Sequence, residues 1–222
     1  MRIGIIGPSK QEIMPFISNL NIKNESENSM MSFFEGAFNN IEVVATICGI
    51  CKVNASVSAS LLIDVYKCSH IIIIGVAGAI DKNLKIFDCV ISDKACYHDV
   101  LPYLLEEDPP YMKKAVFTAD SKMIADIKNS YKQKLFVGKI VTGESFITKD
   151  NRDTIIKKFN PLVVDMETAA VAHVCYLKKV SFVSIRTVTD TKDLCGIEEF
   201  RINLVKCAQK SIDVLESYIG NL

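Results

Sequence analysis

The amino-acid sequence predicts an α/β fold, in which a central sheet is sandwiched between helices. Short runs rich in β-branched residues alternate with segments of helical periodicity, the order expected when helices connect strands of one sheet. One run, HIIIIG at residues 70–75, is almost wholly apolar, as strands are when both faces of a sheet are covered. The 222 residues, 49% of them hydrophobic, can fill a large core without a linker-like segment. We therefore expect one domain over residues 1–222.

The N-terminal half begins with a strand that ends at Gly7 and leads into a helical segment. Two further strands flank Asn39 and Asn40, a short polar turn that favours a hairpin. A helix then precedes the apolar strand. The predicted strands cover residues 2–7, 32–38, 41–48 and 70–75, and the predicted helices cover residues 11–20 and 55–67.

The C-terminal half continues the alternation and closes with a long amphipathic helix. Ser121 is the expected N-cap of the first helix in this half, because a serine hydroxyl can accept from the free amides of a helix start. The predicted strands cover residues 87–98, 135–143, 161–166 and 181–190, and the predicted helices cover residues 121–131, 152–159, 167–179 and 197–219.

The charge balance and the apolar runs exclude several classes of protein. Lysine plus arginine equals aspartate plus glutamate, at 26 each, so no basic face for nucleic acid is expected. The longest apolar run, Ile71 to Ile80, is shorter than the roughly 20 residues that span a bilayer. The N-terminus turns polar too early for a secretory signal. We expect a cytoplasmic protein with no membrane partner.

Ligands of α/β sheets bind beyond the carboxyl ends of the strands, and three carboxylates follow predicted strands in apolar surroundings. These are Glu12, Glu167 and Asp190. Each also has a structural interpretation: Asp190 as a turn or helix cap, Glu167 as a first-turn acid favoured by the helix dipole, with Asp165 as the cap, and Glu12 as an ordinary helical acid. Arg186, inside a buried strand, requires an anionic partner, either internal or a substrate.

Other motifs favour other chemistry only weakly. Cys48 and Cys51 form a CxxC between a strand and a helix, the context of a thioredoxin-like redox site, or of two small buried residues at a turn. GVAGA at residues 75–79 is expected to be a glycine turn that lets backbone approach a ligand, but it is neither a dinucleotide fingerprint nor a P-loop. The three histidines have no metal-binding spacing, so no metal is expected.

Several of these stretches together resemble one family. RIGIIG with Glu12, GICKVNA, GVAGAI, ISD…YHD, VTGESFI, VDMETAAVAHVC and RTVTD follow one another as in the bacterial 5′-methylthioadenosine/S-adenosylhomocysteine nucleosidases. The resemblance spans nearly the whole chain. It implies a purine nucleoside phosphorylase-like fold, a three-layer α/β/α sandwich with a mixed, partly closed central sheet. It also implies a homodimer, hydrolysis of the N-glycosidic bond of a purine nucleoside, and no cofactor.

The resemblance assigns roles on the reacting side. Asp190 matches the general acid that protonates N7 of adenine, and Glu12 matches the residue that positions and deprotonates the attacking water. Arg186 matches an arginine that helps to hold that water and its carboxylate. Splitting acid and base between two carboxyl groups is also the logic of glycosidases.

The resemblance also assigns the binding residues. Glu167 matches the glutamate that binds the ribose 2′- and 3′-hydroxyls, and Met166 matches a methionine that packs on the sugar. Phe146 matches the ring stacked on the purine, and the Ile147 backbone matches the group that reads the adenine edge. Two further residues that line the purine pocket by resemblance are Ala77 and Gly78.

Other activities stay open at this point. One is a sister nucleosidase with another 5′-group, such as an aminodeoxyfutalosine hydrolase, and another is a phosphate-dependent phosphorylase. The chain has only four arginines, which disfavours a phosphate site. A non-catalytic nucleoside-binding protein and the redox site are alternatives of other classes. Departures from the family pattern at Val76, Cys51 and Ile197 leave the preferred 5′-substituent open, and residues 100–112 are expected to form a substrate-facing flap.

Overall fold

The computed structural model describes residues 1–110, 112–147, 149–194 and 196–222. Its elements follow the order β1 (Arg2–Gly7), α1 (Lys10–Ile17), β2 (Asn21–Asn28), β3 (Met31–Phe38), β4 (Ile41–Ile47), α2 (Lys52–Asp64), β5 (His70–Ala79), β6 (Cys89–Tyr97), α3 (Pro102–Glu106), β7 (Phe117–Thr118), α4 (Ser121–Ser130), β8 (Leu135–Thr142), α5 (Lys149–Phe159), β9 (Val163–Asp165), α6 (Thr168–Lys178), β10 (Ser181–Asp190) and α7 (Ile197–Ile219).

The strands form one mixed sheet that closes on itself over half of its width. Its order is β10-β6-β8-β9-β5-β1-β4-β3-β2, and β10 also pairs with β5. The β10–β5 and β1–β5 pairs are parallel, whereas β10–β6 and β5–β9 are antiparallel. The extra β10–β5 pairing joins the ends of a five-stranded ring, and β1 to β4 extend from it. The expected mixed, partly closed sheet is therefore confirmed.

The apolar strand β5 divides two helical layers. Ile71 and Ile73 belong to the core shared with α2 and α6, whereas Ile72 and Ile74 belong to the core shared with α1, α4 and α7. Because successive side chains of a strand point to opposite faces, both faces of β5 are buried and the run has no polar position to spare. The three-layer sandwich is confirmed.

Several local expectations are confirmed and others are wrong. Asn39 and Asn40 form the hairpin turn with φ of 47° and 67°, values that asparagine tolerates better than most residues. The N-cap of α4 is Asp120, whose carboxylate accepts from the amides of Lys122 and Met123, and not Ser121.

Two further differences concern strands. GVAGA at residues 75–79 is the end of β5 and not a turn after it. The strand β2 is almost entirely exposed, with the sequence NIKNESEN, so it lacks the apolar alternation by which strands are recognised. Its polar character suits an edge strand, because charged side chains discourage pairing with other chains. Within the described ranges, no helix combines the length and apolarity that crossing a membrane requires.

Candidate active site

A cavity of about 270 Å³ opens at the carboxyl ends of β1, β5, β9 and β10. The structure brings into it every candidate except Arg186, which lies directly behind its wall. The described lining residues are Pro8, Glu12, Ile50, Val76, Ala77, Gly78, Ser145, Phe146, Ile147, Val164, Asp165, Met166, Glu167, Thr189, Asp190, Ile197, Phe200 and Arg201. Three segments far apart in sequence therefore supply three buried carboxyl groups, Glu12, Glu167 and Asp190, to one cavity.

Arg186 is fully buried in β10 and organises one side of the cavity. Its Nη2 lies 2.9 Å from Asp165 Oδ2 and 3.2 Å from Glu167 Oε2, and its Nη1 lies 3.9 Å from Glu12 Oε1. A buried guanidinium must be paired, and here three carboxyl groups from α1, β9 and the start of α6 meet that need. The internal ion pair expected from the sequence is present, and its acids face the cavity.

The Glu12 carboxyl group is held by two further donors. Oε2 accepts from Ser9 Oγ at 2.6 Å, and Oε1 accepts from the Val76 amide at 3.0 Å. Gly75, with φ of 144°, leaves the space that this carboxyl group occupies, because a Cβ there would lie 2.4 Å from Glu12 Oε1. The glycine of the β5 run thus makes room for the acid of α1.

Asp165 has two structural roles, of which the sequence predicted one. It satisfies the start of α6, because its carboxylate accepts from the Thr168 amide at 3.2 Å and from the hydroxyl of Thr142 at 2.6 Å. The same carboxylate pairs with Arg186. The capping role was expected. The second role, fixing Arg186 against Glu167, depends on packing that a sequence does not display.

Glu12, Asp165 and Glu167 share the single positive charge of Arg186, so ionising all three costs free energy. Burial raises the pKa of Glu12, against the opposing charge of Arg186. Burial also raises the pKa of Glu167, again opposed by Arg186 and reinforced by Asp165 and Glu12. Raised pKa values of buried carboxyl groups are a common feature of acid–base sites.

Asp190 lies at the opposite wall and has its own cationic partner. Oδ2 is 2.8 Å from Arg152 Nη2, with both side chains buried, and Oδ1 accepts from Thr189 Oγ1 at 3.0 Å. Burial raises the pKa of Asp190, and Arg152 opposes the rise. Arg152 was not singled out from the sequence, since a charged residue early in a polar helix is ordinarily solvated.

Part of the lining of the cavity is apolar and aromatic. Phe146 meets Phe200 edge to face, with ring centroids 6.1 Å apart, and Ile147 is buried beside them. A Cβ at Gly78 would lie 3.2 Å from both carboxyl oxygens of Asp190, so the carboxyl group sits directly over the glycine. Such a slot fits a planar ring with one edge toward Asp190.

The CxxC pair lacks the electrostatics of a redox site. Burial raises the pKa of Cys51 to about 11, and burial also raises the pKa of Cys48. Redox cysteines need a lowered pKa because the thiolate is the nucleophile. Cys51 instead serves through its backbone, whose amide donates to Glu167 Oε1 at 3.1 Å.

Cys51 adopts φ of 83° and ψ of 164°, a conformation that is costly for any residue except glycine. We expect Cys51→Gly to raise the free energy of unfolding by about 1 kcal/mol, because glycine relieves that strain. Turnover should change less than about twofold, since the amide that contacts Glu167 remains. Urea unfolding measures the first effect. Cys51→Ala is the matched control: it removes the thiol but keeps the strain, and an equal gain in that variant would contradict the explanation.

Comparison with known proteins agrees with this geometry. The model of the phosphorylase superfamily matches residues 2–220. The 5′-methylthioadenosine/S-adenosylhomocysteine nucleosidase of Staphylococcus haemolyticus (strain JCSC1435) is 34% identical over 226 residues, covering 98% of each chain.

Solved structures give the same result. A Streptococcus pneumoniae 5′-methylthioadenosine/S-adenosylhomocysteine nucleosidase with a transition-state inhibitor superposes with a TM-score of 0.90 at 27% identity, covering 100% of this chain and 99% of that one. The futalosine hydrolase of Helicobacter pylori strain 26695 also gives a TM-score of 0.90, at 26% identity, with coverage of 100% and 98%. This chain belongs to the phosphorylase superfamily and, within it, to the 5′-methylthioadenosine/S-adenosylhomocysteine nucleosidases.

Proposed function

We propose that this chain, as a single nucleosidase domain over residues 1–222, hydrolyses the N-glycosidic bond of 5′-methylthioadenosine and S-adenosylhomocysteine. The products are adenine and the corresponding 5-thioribose. The observation that carries the proposal is the convergence of Glu12, Glu167 and Asp190 on one cavity, with cationic partners behind them. The names of the relatives described above specify these two nucleosides as substrates.

On the purine side, Asp190 donates a proton to N7 as the bond to the sugar breaks. Without that proton adenine would leave as an anion, a poor leaving group. A carboxyl group that is to donate a proton near neutral pH needs a raised pKa, and burial supplies it for Asp190. The Phe146 ring stacks on the purine, the Ile147 backbone reads its edge, and Ala77 and Gly78 line the purine pocket.

On the sugar side, Glu167 binds the ribose 2′- and 3′-hydroxyls and Met166 packs against the ring. Breaking an N-ribosyl bond develops positive charge on the ribose. A carboxylate fixed beside that charge stabilises the transition state more than the ground state. Its contacts with Arg186 and the Cys51 amide hold it in place, so little reorganisation accompanies the reaction.

The water is handled by Glu12. Its carboxylate accepts one proton of the water while the oxygen bonds to C1′, and the other proton stays on the new hydroxyl group. Arg186 and the Val76 amide fix the orientation of Glu12. One proton has then moved to Glu12 and one has left Asp190, and exchange with solvent restores both groups.

Phosphorolysis requires several cationic donors for phosphate. Of the described residues lining the cavity, Arg201 is the one cation. Arg186 and Arg152 lie outside that lining and are paired with carboxylates. Water is therefore the better-supported nucleophile. A futalosine-type substrate remains the second candidate, since the H. pylori futalosine hydrolase superposes equally well.

The test is product analysis with 5′-methylthioadenosine in H2(18)O, with and without phosphate. Hydrolysis should release adenine at the same rate in both and place the label on the C1 hydroxyl of the sugar. Rate dependence on phosphate would instead identify a phosphorylase, and tight binding without turnover would identify a nucleoside-binding protein. Parallel assays with S-adenosylhomocysteine and a futalosine-type nucleoside rank the 5′-substituents.

We also propose that the protein acts in the cytoplasm as a homodimer, as the family resemblance implies. Exposed apolar side chains occur on α3, α2 and α6, including Tyr103, Val53 and Leu177, with exposed fractions of 50%, 73% and 50%. Burying them against a second copy would stabilise the pair. Light scattering should give about twice the 24.7 kDa mass of one chain. A monomeric mass would contradict this assembly.

A further inference from the structure

Arg152 is buried against Asp190, the proposed leaving-group acid, and donates hydrogen bonds to two groups. Nη2 donates to Asp190 Oδ2 at 2.8 Å, and Nη1 donates to the carbonyl oxygen of Ala79 at the end of β5. The residue is 1% exposed, so this is an ion pair in a dry environment. An arginine is rarely buried to this degree without a specific anion to serve.

The contacts decide which carboxyl oxygen can carry a proton. Oδ2 faces the guanidinium, which has only donors, so a proton on Oδ2 would point at another N–H. Oδ1 faces Thr189 Oγ1, a hydroxyl that can turn its proton toward the Ala77 carbonyl, 3.3 Å away. Only Oδ1 can therefore be protonated without losing a partner, and the transferable proton lies on that oxygen.

The guanidinium also changes the energy of proton transfer. When N7 takes the proton, Asp190 becomes a carboxylate at a position where its side chain is buried. An unpaired buried carboxylate is expensive, whereas one already bonded to a guanidinium is not. The interaction strengthens as negative charge develops, so it favours the transition state over the protonated ground state.

We propose that Arg152 is a positioning residue for leaving-group protonation: it assigns the proton of Asp190 to Oδ1 and stabilises the carboxylate that forms as the proton passes to the purine. The proposal rests on the function proposed above. It predicts a defect confined to substrates whose leaving group needs a proton.

The other titratable groups near Asp190 lie on α7, and one of them, Arg201, is a cation that lines the same cavity. From α7, Glu199 raises the pKa of the Asp190 carboxyl group, after burial, and the Cys207 thiol on the same helix is neutral because burial raises its pKa to about 12. From α5, Arg152 opposes the rise. Removing the guanidinium therefore leaves burial and Glu199 opposed by the hydrogen bond from Thr189 alone, and the pKa of Asp190 should rise further.

The test compares Arg152→Gln, which keeps a hydrogen-bond donor without charge, with Arg152→Lys, which keeps the charge. For 5′-methylthioadenosine we expect Arg152→Gln to lower kcat by about 10- to 100-fold. The alkaline limb of its kcat–pH profile should move to higher pH by about one unit or more, because Asp190 must be protonated to act. Arg152→Lys should lose less and keep the limb near its wild-type position.

A 4-nitrophenyl 5-methylthio-β-riboside distinguishes loss of leaving-group protonation from structural damage to the site, because its leaving group departs as a stable anion without a proton. Arg152→Gln should hydrolyse this substrate at close to the wild-type rate. Equal losses on both substrates with an unmoved alkaline limb would show a merely structural residue and overturn the proposal. A wild-type protein that releases no adenine would instead overturn the proposed function, so the two failures are distinguishable.

Folding of the variants is itself informative. If Arg152→Gln does not fold, we expect the double variant Arg152→Gln/Asp190→Asn to fold, because it removes both buried charges together. That result would support a charge pair centred on Asp190. Failure of both variants to fold would mean that Arg152 is required independently of Asp190, and the proposal would be wrong.

Discussion

Replacing Asp190 with asparagine should lower kcat for adenine release by about 10³-fold or more, while a purine analogue still binds within severalfold of its wild-type affinity. Asparagine has nearly the shape of aspartate but holds no transferable proton. Its amide oxygen can still accept from Arg152 Nη2, which now lies 2.8 Å from Oδ2, so the wall of the cavity should keep its form. Steady-state kinetics and calorimetric titration with adenine measure the two quantities.

The matched control is Asp153→Asn, the same chemical change at the exposed Asp153, whose ion pair with Lys192 is long at 3.3 Å and open to water. Exposed pairs of this kind contribute at most about 1 kcal/mol, so the control should keep its activity and stability. Near-normal turnover in Asp190→Asn would remove Asp190 from the acid role. Loss of purine binding together with turnover would assign it to binding alone.

The fold was largely predictable because buried strands have a recognisable pattern of apolar residues. After His70, the run IIIIG has no polar residue, and the structure explains this by helical layers on both faces of β5. An exposed strand lacks this pattern of apolar residues. NIKNESEN forms β2 at the edge of the sheet by backbone pairing with β3, and backbone pairing does not constrain its side chains.

The site was predictable only in part, for a related physical reason. Glu12, Glu167 and Asp190 were recognisable as acids beyond apolar strands, a position that is costly without a purpose. Arg152 cannot be recognised from its own segment, because KDNRDT at residues 149–154 is polar throughout and does not reveal that one side chain turns inward. Asp165 was recognised as a cap, but its contact with Arg186 arises only when β9 and β10 close around the cavity.

Replacing Glu12 with glutamine should be as damaging as Asp190→Asn, with kcat lower by about 10³-fold and purine binding retained. A glutamine carbonyl can still accept from the Val76 amide, which lies 3.0 Å from Oε1, so the side chain should stay in place without acting as a base. Kinetics with 5′-methylthioadenosine measure the loss. The control is Glu42→Gln, an exposed acid at the start of β4, which should leave the rate unchanged.

The two losses should differ in how they can be repaired, because Asp190 and Glu12 act on opposite sides of the same bond. A 4-nitrophenyl leaving group needs no proton, so it should restore Asp190→Asn but not Glu12→Gln. Azide needs no base, so it should restore Glu12→Gln, forming a ribosyl azide, but not Asp190→Asn. If both additions repaired both variants equally, the carboxyl groups would not have separate roles, and the assignment of acid to one wall and base to the other would be wrong. Crossed repair would follow only if each carboxyl group moves a different proton, as their separate partners, Arg152 and Arg186, indicate.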